Sequence, residues 1–228
     1  MHALGSAFAG LAASGLCVAA APNTAACNAN ACGRHAIQAT TLARPPLNAR
    51  SMKKAATPDE FKRAMRRFAA GVTLVTTAGR GGRAGLTATA MCSLSADPPR
   101  LLVCVNRDSA PNRAIAASKR FCVNILGQKH RALALRFAGA TGVQGEERFA
   151  HGRWGKAATG APVLEDALAS FDCTLAEAIQ SGTHTIFVGD VRAAAAAARG
   201  SPLVYEGGGF HALAPLAEPR KTKAKTPK

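Results

Sequence analysis

Three short stretches of this 228-residue chain carry residue types whose spacing could support chemistry. The first, residues 182–191, is a run of β-branched and aromatic residues that contains His184. In an extended strand His184 lies on the face opposite Thr185 and Phe187. A histidine in such a setting is more often a satisfied structural residue than a catalytic one. The stretch alone therefore favours a structural role for His184.

The second stretch, residues 87–95, reads Thr-Ala-Thr-Ala-Met-Cys-Ser-Leu-Ser. Small hydroxyl and thiol side chains on a strand allow a flat ligand to lie close to the backbone, which can then offer N–H and C=O groups. The alternative is a strand of small residues packed against a helix. Both interpretations stay open on these residues alone.

The third stretch, residues 106–112, is a polar turn that leads into a helix. Unpaired N–H groups at the helix start, together with Ser109 and the nearby Lys119 and Arg120, would suit a phosphate. An ordinary capped helix with solvated basic residues accounts for the pattern equally well.

Several common sites are excluded by their missing motifs. Gly79-Arg80-Gly81 does not begin a strand–GxGxxG–helix unit, which argues against a Rossmann dinucleotide site. The chain has no GxxxxGK[ST] loop, GxSxG elbow or HExxH helix, and its cysteines and histidines lack zinc-ligand spacing. Arg148, Phe149 and Trp154 fall in an irregular stretch, where an aromatic residue can serve as a lid, a dimer contact or a core plug.

Composition describes one basic globular domain. The net charge is +16, and residues 52–217 hold 21 basic and 12 acidic residues, which suits an anionic small molecule or a nucleic acid. The seven cysteines include no CxxC pair, so we expect a reduced, cytoplasmic protein. Four of these cysteines lie in apolar runs and are expected to be small buried hydrophobes: Cys92, Cys104, Cys122 and Cys173.

Both ends of the chain differ from this body. Residues 1–51 are rich in alanine, and their first arginine is Arg34, so a secretory signal with a basic start is not predicted. We expect a disordered extension or a start codon placed upstream of Met52, without a catalytic role. Residues 218–228 are expected to form a basic disordered tail, which leaves residues 52–217 as the single folded domain.

The elements that would position the three stretches are mostly strands. Thr57 and Glu60 predict a capping box for a helix with Pro58 in its first turn, and Gly71 is expected to end that helix. Its apolar stripe would be Phe61, Ala64, Met65 and Phe68. Two further helices are predicted at 111–119 and 129–137, and residues 139–166 are predicted to be irregular. Strands are predicted at 72–78, 86–95, 101–106, 121–126, 169–179, 184–198 and 203–213. Strands without regular intervening helices favour a mainly β protein, a closed antiparallel barrel with a few flanking helices.

Taken in order, these segments resemble the flavin reductase family, the NAD(P)H-dependent reductase components of two-component flavin monooxygenases. Each match is weak alone, but their shared order over residues 57–213 is specific. The matching segments are 68–76, 85–88, 93–99, 101–106, 121–126, 133–134, 137–138, 148–149, Trp154, 159–162, 182–191 and 202–205.

The resemblance implies a split-barrel FMN-binding fold, a Greek-key antiparallel barrel, and assigns the candidate site. His184 would lie near the nicotinamide. The flavin ring and ribityl chain would follow Thr87, Thr89, Ala90, Cys92 and Ser93, and the phosphate end would meet Asn106, Ser109, Lys119 and Arg120. The chain departs from the family pattern where Ala90 and Cys92 replace hydroxyl residues and where Ala110-Pro111 replaces Arg-Thr.

The implied activity is hydride transfer from C4 of NAD(P)H to N5 of FMN or FAD, without a metal. The protein would be a homodimer that passes reduced flavin to a separate oxygenase component, with no membrane role. Two other functions stay open: a flavin- or haem-binding relative without reductase turnover, and a basic nucleic-acid-binding protein. One tryptophan, one tyrosine and no recognised nucleic-acid motif argue against the latter.

Overall fold

The computed structural model describes residues 55–216. The expectations for residues 1–51, Met52 and residues 218–228 concern segments that lie outside the described residues. Three α-helices are formed in the described part: α1 (Pro58–Met65), α2 (Ala110–Ser118) and α3 (Arg131–Phe137). Short 3-10 helices cover Gln128–His130 and Gly145–Ala150. The strands are β1 (Ala70–Gly71), β2 (Thr73–Gly79), β3 (Gly82–Ala88), β4 (Met91–Ala96), β5 (Pro99–Asn106), β6 (Arg120–Ile125), β7 (Trp154–Lys156), β8 (Pro162–Leu164), β9 (Ala169–Ser181), β10 (His184–Ala196), β11 (Leu203–Glu206) and β12 (Gly209–Ala212).

Seven strands form the main sheet in the order β3-β2-β6-β9-β10-β5-β4, and every pairing is antiparallel. β3 and β4 follow each other in the chain, yet they occupy the two edges of the sheet. Leu86 and Ala88 of β3 share one apolar cluster with Met91 of β4 and Val103 of β5. Side-chain packing thus brings the two edges together, and the predicted antiparallel barrel is confirmed as one that is split along the β3–β4 seam.

Helix α2 closes one end of this barrel. Its Ile115 is fully buried with Phe121 and Phe187 in the barrel core. A second apolar cluster joins α3 to the segments beyond it, and it contains Phe137 and Phe149 with Trp154 packed against them. The Trp154 ring centroid lies 4.9 Å from that of Phe149, so Trp154 packs against this second apolar cluster.

The capping box of α1 is confirmed, but the predicted end of the helix is wrong. Thr57 N–H donates to the Glu60 carboxylate at 2.9 Å, and Glu60 N–H donates to Thr57 Oγ1 at 3.3 Å. The helix ends at Met65 rather than near Gly71, because the chain turns to pair β1 with β11. No α1 residue is buried, and Phe61 of its apolar stripe is 60% exposed.

Two other expectations need correction. The stretch 139–166 is not wholly irregular, since it holds a 3-10 helix and the β7–β8 hairpin. The predicted strand at 203–213 is a hairpin, because Gly207 and Gly208 adopt positive φ angles that turn β11 into β12.

The cysteines separate into two groups. Cys122 and Cys173 are buried as expected, and burial raises the pKa of the Cys173 thiol to about 12, with nearby Asp172 adding to the shift. Cys92 is exposed instead, because it lies on the outer face of the edge strand β4, and Cys104 is partly exposed on the neighbouring strand. Among residues 55–216, no helix has the length and apolarity needed to cross a membrane.

Candidate functional site

A cavity of about 280 Å³ opens where the start of α2 meets β3 and the end of α3. It brings together three of the residues singled out from the sequence: Thr87, Asn106 and Ser109. Its walls are mainly apolar, as the contributions of Pro111 and Phe137 illustrate. The cavity can therefore accept an elongated ligand that needs only a few polar contacts.

The hydroxyls of Thr87 and Ser109 already form hydrogen bonds within the protein. Thr87 Oγ1 donates to the Ala134 carbonyl at 2.6 Å and so ties β3 to α3. Ser109 caps α2: its Oγ donates to the Asn106 carbonyl at 2.7 Å and accepts from Asn112 N–H at 3.3 Å. Since Pro111 has no N–H, the first turn of α2 has little left to offer a phosphate.

His184 does not line this cavity, but it lies on the strand next to one of the lining residues. It is the residue of β10 that lies directly opposite Asn106 of β5 in the antiparallel ladder. The side chain is half-buried, and its Nδ1 lies 2.9 Å from Thr183 Oγ1. The turn before it is held by Arg107, whose N–H donates to the Thr183 carbonyl at 3.0 Å. The fold thus fixes one imidazole beside a cavity residue.

The other flavin-ring candidates follow the seam out of the cavity. Thr89 and Ala90 link β3 to β4, and the Ala90 carbonyl accepts from Cys104 N–H at 3.0 Å. Cys92 and Ser93 lie farther along on β4, where both are exposed. Burial raises the pKa of the Cys104 thiol, and the neighbouring Cys92 adds to the shift, as expected for two thiols on one outer face. These four candidates border an open surface and do not line the cavity.

Lys119 and Arg120 are not brought to Ser109. They lie at the far end of α2, about 13 Å from its start for a nine-residue helix. Lys119 adopts a left-handed conformation (φ 58°) that ends the helix. Arg120 donates to the Thr159 carbonyl at 2.6 Å and to the Ala78 carbonyl at 3.0 Å. Its guanidinium thus connects β2 to the loop between β7 and β8.

Two cavity residues were missed by the sequence reasoning, which noted Arg148 only as part of a loop motif. The half-buried guanidinium of Arg148 donates to the carbonyls of Gly85, Phe137 and Val143 at 3.2, 3.1 and 3.0 Å. Burial lowers the pKa of Arg148. The other residue is Gly85, where a Cβ would lie 2.8 Å from Phe137 Cε1. The available signals were a basic residue in a glycine-rich loop and a glycine within a strand.

In the part of the chain that the structure describes, no group of three or more histidine, cysteine, aspartate or glutamate residues is placed to hold a metal ion. The site combines an apolar cavity, one cation, an open seam and a histidine on the neighbouring strand. Such a site is suited to binding and aligning organic ligands.

Comparisons with known proteins agree on one family. Residues 65–214 match the model of the flavin reductase like domain. An FMN reductase (NADH) RutF from Variovorax paradoxus strain S110 is 44% identical over 155 residues, which cover 68% of this chain and 85% of the relative. BorF, the flavin reductase component of a bacterial two-component tryptophan halogenase, superposes with a TM-score of 0.64 at 35% identity, covering 69% of this chain and 98% of its own.

A third comparison includes bound ligands. The NADH:FAD oxidoreductase SgcE6 of Streptomyces globisporus C-1027, solved in complex with NAD and FAD fragments, superposes with a TM-score of 0.65 at 29% identity. The alignment covers 72% of this chain and 99% of SgcE6.

Proposed function

The chain belongs to the flavin reductase-like family and is a flavin oxidoreductase, and from this premise we propose that it reduces FMN with NADH. The observation that supports the proposal is an apolar cavity lined by Asn106, which lies directly opposite His184 in the β5–β10 ladder. The RutF relative is named for this pair of nucleotides, FMN and NADH. SgcE6 is named for FAD, so both flavins occur among the similar proteins.

The residues present fit a bound flavin. A planar ring can lie along the seam, where Thr89, Ala90 and Ser93 have small side chains and leave the backbone accessible. The ribityl chain can then enter the cavity past Thr87 and Asn106. The mainly apolar cavity wall favours burial of the ligand.

When bound, the flavin supplies the chemistry of the reaction, accepting at N5 the hydride that the nicotinamide gives up from C4. The chain itself binds and aligns the two reactants. His184 would position the nicotinamide, since its half-buried side chain contacts Thr183 Oγ1 and lies on the strand next to the cavity residue Asn106. Backbone N–H groups along the seam would offer hydrogen bonds to the flavin as negative charge develops on it. This division of labour needs no protein side chain as a general acid.

Reduced flavin would pass to a separate oxygenase component. Two similar solved proteins are named as components of larger systems, one of a tryptophan halogenase and one of a nitrilotriacetate monooxygenase. The exposure of Ser93 supports release, because a ring held along the edge strand β4 at Ser93 would border solvent rather than a closed chamber. A site of this form suits a flavin that enters oxidised and leaves reduced.

A second copy of the chain would cover the outer face of the barrel, giving a homodimer. Leu102, Cys104 and Ile186 point outward on paired strands, and Ile179 beside them is 48% exposed. This apolar face continues to His184, so a partner seated on it would also border the site. Sedimentation velocity tests this point: we expect a dimer for the natural protein and a monomer for Ile179→Asp.

A reducing compartment such as the cytoplasm is also proposed. The four cysteines of the described part are all free thiols, although Cys92 and Cys104 share one outer face. A chain that keeps such a pair unbridged suits a compartment that maintains reduced thiols.

The activity is tested by following NADH oxidation with FMN, FAD and riboflavin as acceptors. We expect turnover with FMN. We expect His184→Ala to raise the KM for NADH about tenfold while the Kd for FMN, measured by fluorescence titration, changes less than about twofold. The matched control is His211→Ala, because His211 is an exposed histidine on β12 whose Nε2 contacts only the β11–β12 hairpin. Absence of turnover with every flavin would refute the activity, and equal losses of NADH and FMN affinity would refute the role of His184.

A further inference from the structure

We propose that Arg148 binds the phosphate of FMN at the inner end of the cavity. The proposal rests on the proposed function and adds to it a residue that recognises the anionic end of the flavin. It differs from the expectation drawn from the sequence, which placed that end at Ser109, Lys119 and Arg120.

The first support is the geometry of the guanidinium. Nη1 donates to the carbonyls of Gly85 and Phe137, and Nε donates to that of Val143. These three carbonyls belong to three segments around the cavity, so the guanidinium is held in one orientation before any ligand binds. Within residues 55–216, Nη2 has no hydrogen-bond acceptor, and its two N–H groups are left for a ligand.

Nη2 is also accessible. Among the described residues, no side-chain nitrogen of Arg148 is both buried and without a hydrogen-bond partner, so Nη2 is not sealed inside the protein. Arg148 lines the cavity that also contains Thr87 and Asn106. A ligand in this cavity would therefore lie beside the Arg148 side chain.

The second support is an unneutralised charge. In the described part of the chain, no carboxylate lies within 4 Å of Arg148: its neighbour Glu146 is paired with Arg83, and Glu147 faces Arg136. Burial without a counter-ion disfavours the charged form, in keeping with the lowered pKa of Arg148. A half-buried cation in an apolar cavity is stabilised when an anion binds beside it.

The other candidate anion sites are weaker. The N–H groups in the first turn of α2 are largely used, since Asn112 N–H is bound by Ser109 Oγ and Pro111 has none. Arg120 lies at the far end of α2, does not line the cavity, and donates to the Ala78 and Thr159 carbonyls. Arg148 is the cation that lines the cavity.

A phosphoryl group could also come from the nicotinamide nucleotide. The flavin is favoured because Arg148 lines the cavity and is bound to Gly85 and Phe137, whereas His184 does not line it and lies on β10, opposite Asn106. A ligand that extends from the seam into the cavity brings its phosphate toward Arg148. The nicotinamide donor would approach from the side of His184.

The test compares FMN with riboflavin, which lacks the phosphate, in fluorescence titrations without NADH. We expect the natural protein to bind FMN at least about tenfold more tightly than riboflavin, the scale of one charge-assisted contact. Arg148→Gln should reduce this ratio to within about twofold of unity while the riboflavin Kd changes little. Arg148→Lys, which keeps the charge without the fork, should give an intermediate ratio.

Arg136→Gln is the matched control. Arg136 donates to the carbonyls of Glu147 and Arg148 and so supports the same segment, but it does not line the cavity. We expect it to preserve the FMN-to-riboflavin ratio even if it lowers the melting temperature. An equal fall in this control would overturn the proposal, because loop damage would then explain the effect.

Other outcomes separate the phosphate contact from the enzyme activity. A natural protein that binds FMN and riboflavin equally, or an Arg148→Gln protein that keeps the preference, would overturn the contact even if NADH turnover is intact. A change confined to the KM for NADH would assign Arg148 to the nicotinamide nucleotide instead, which also overturns it. If Arg148→Gln does not fold, the ratio of FMN to riboflavin affinity in Arg148→Lys is the test. An unchanged ratio in that variant would contradict a contact between the Arg148 guanidinium and the phosphate.

Discussion

In the sequence both ends of α2 are candidates for binding an anion, but in the structure they differ in what they can bind. The end that begins at Ser109 has a polar turn before it, whereas the end that carries Lys119 and Arg120 has two adjacent cations. Net charge alone favours the second end for an anion. The structure places a cavity at the first end and uses Arg120 of the second to brace the Thr159 loop. A basic residue is available to a ligand only where its hydrogen-bond donors remain free beside open space.

The contrast between Arg120 and Arg148 shows the same point at atomic detail. Both guanidiniums donate to backbone carbonyls, and neither is paired with a carboxylate within 4 Å among the described residues. Arg148 lines the cavity, but Arg120 does not. We expect substitutions near the Ser109 end of α2 to weaken FMN binding. Substitutions near the Lys119 end should change only the stability of the protein.

The largest effect is expected at Gly85, the glycine of β3 that faces the cavity. In Gly85→Ala the new Cβ would lie 2.8 Å from Phe137 Cε1, and this ring is held by Phe149 and Trp154. We expect unfolding free energy to fall by about 1–3 kcal/mol and FMN affinity to fall about tenfold. Urea denaturation and fluorescence titration measure the two effects.

The control for Gly85 lies near the other end of α2. A Cβ at Gly79 would meet Ser118 Cβ at 3.5 Å, an ordinary contact, so Gly79→Ala should leave both stability and FMN affinity nearly unchanged. Comparable losses of FMN affinity in the two variants would contradict the proposed difference between the ends.

An intermediate effect is expected at Asn112. Its Nδ2 donates to the Val105 carbonyl at 3.1 Å and ties the start of α2 to β5, next to Asn106. Asn112→Ala should lower the unfolding free energy by about 1–2 kcal/mol and weaken FMN binding several-fold, because the turn that lines the cavity loses its anchor.

The matched change at the far end is Ser118→Ala. Ser118 Oγ lies 2.7 Å from Thr77 Oγ1, so its loss should cost about 1 kcal/mol of stability and leave the FMN Kd within twofold. Parallel thermal denaturation and FMN titration of both variants decide the matter. If Ser118→Ala weakened FMN binding more than Asn112→Ala does, the ligand would have to bind near the Lys119 end of α2 instead.

The smallest effect is expected at Arg120. Arg120→Gln removes the contacts to Thr159 and Ala78, so we expect the unfolding free energy to decrease by about 1 kcal/mol. The ratio of FMN to riboflavin affinity should not change. A clear drop in this ratio would restore Arg120 as a phosphate ligand and would count against the role of the cavity end.

Local patterns in the sequence were sufficient for much of the fold. The capping box at Thr57 and the β-branched run that begins at His184 are decided by interactions between near neighbours, and both appear as predicted. The end of α1 was misplaced, because pairing of β1 with β11, more than 130 residues away, redirects the chain. The exposure of Cys92 was missed for a related reason: sequence alternation does not reveal which strand lies at an edge.

The candidate site was predicted less completely than the fold. The family motifs led to Thr87, Asn106 and Ser109, which line the cavity, and to His184, which lies opposite Asn106 on the neighbouring strand. Arg148 was seen only as part of a loop motif, because its role depends on three carbonyls from distant segments.

The amino-acid sequence by itself determined the strand-rich architecture and the family, since each follows from local periodicity or from the order of motifs. Tertiary structure alone decided which cations are available. Arg120 and Arg148 both donate to backbone carbonyls through Nε and Nη1, but of the two only Arg148 lines the cavity. The physical reason is that the space beside a side chain depends on neighbours that the fold brings from elsewhere in the chain.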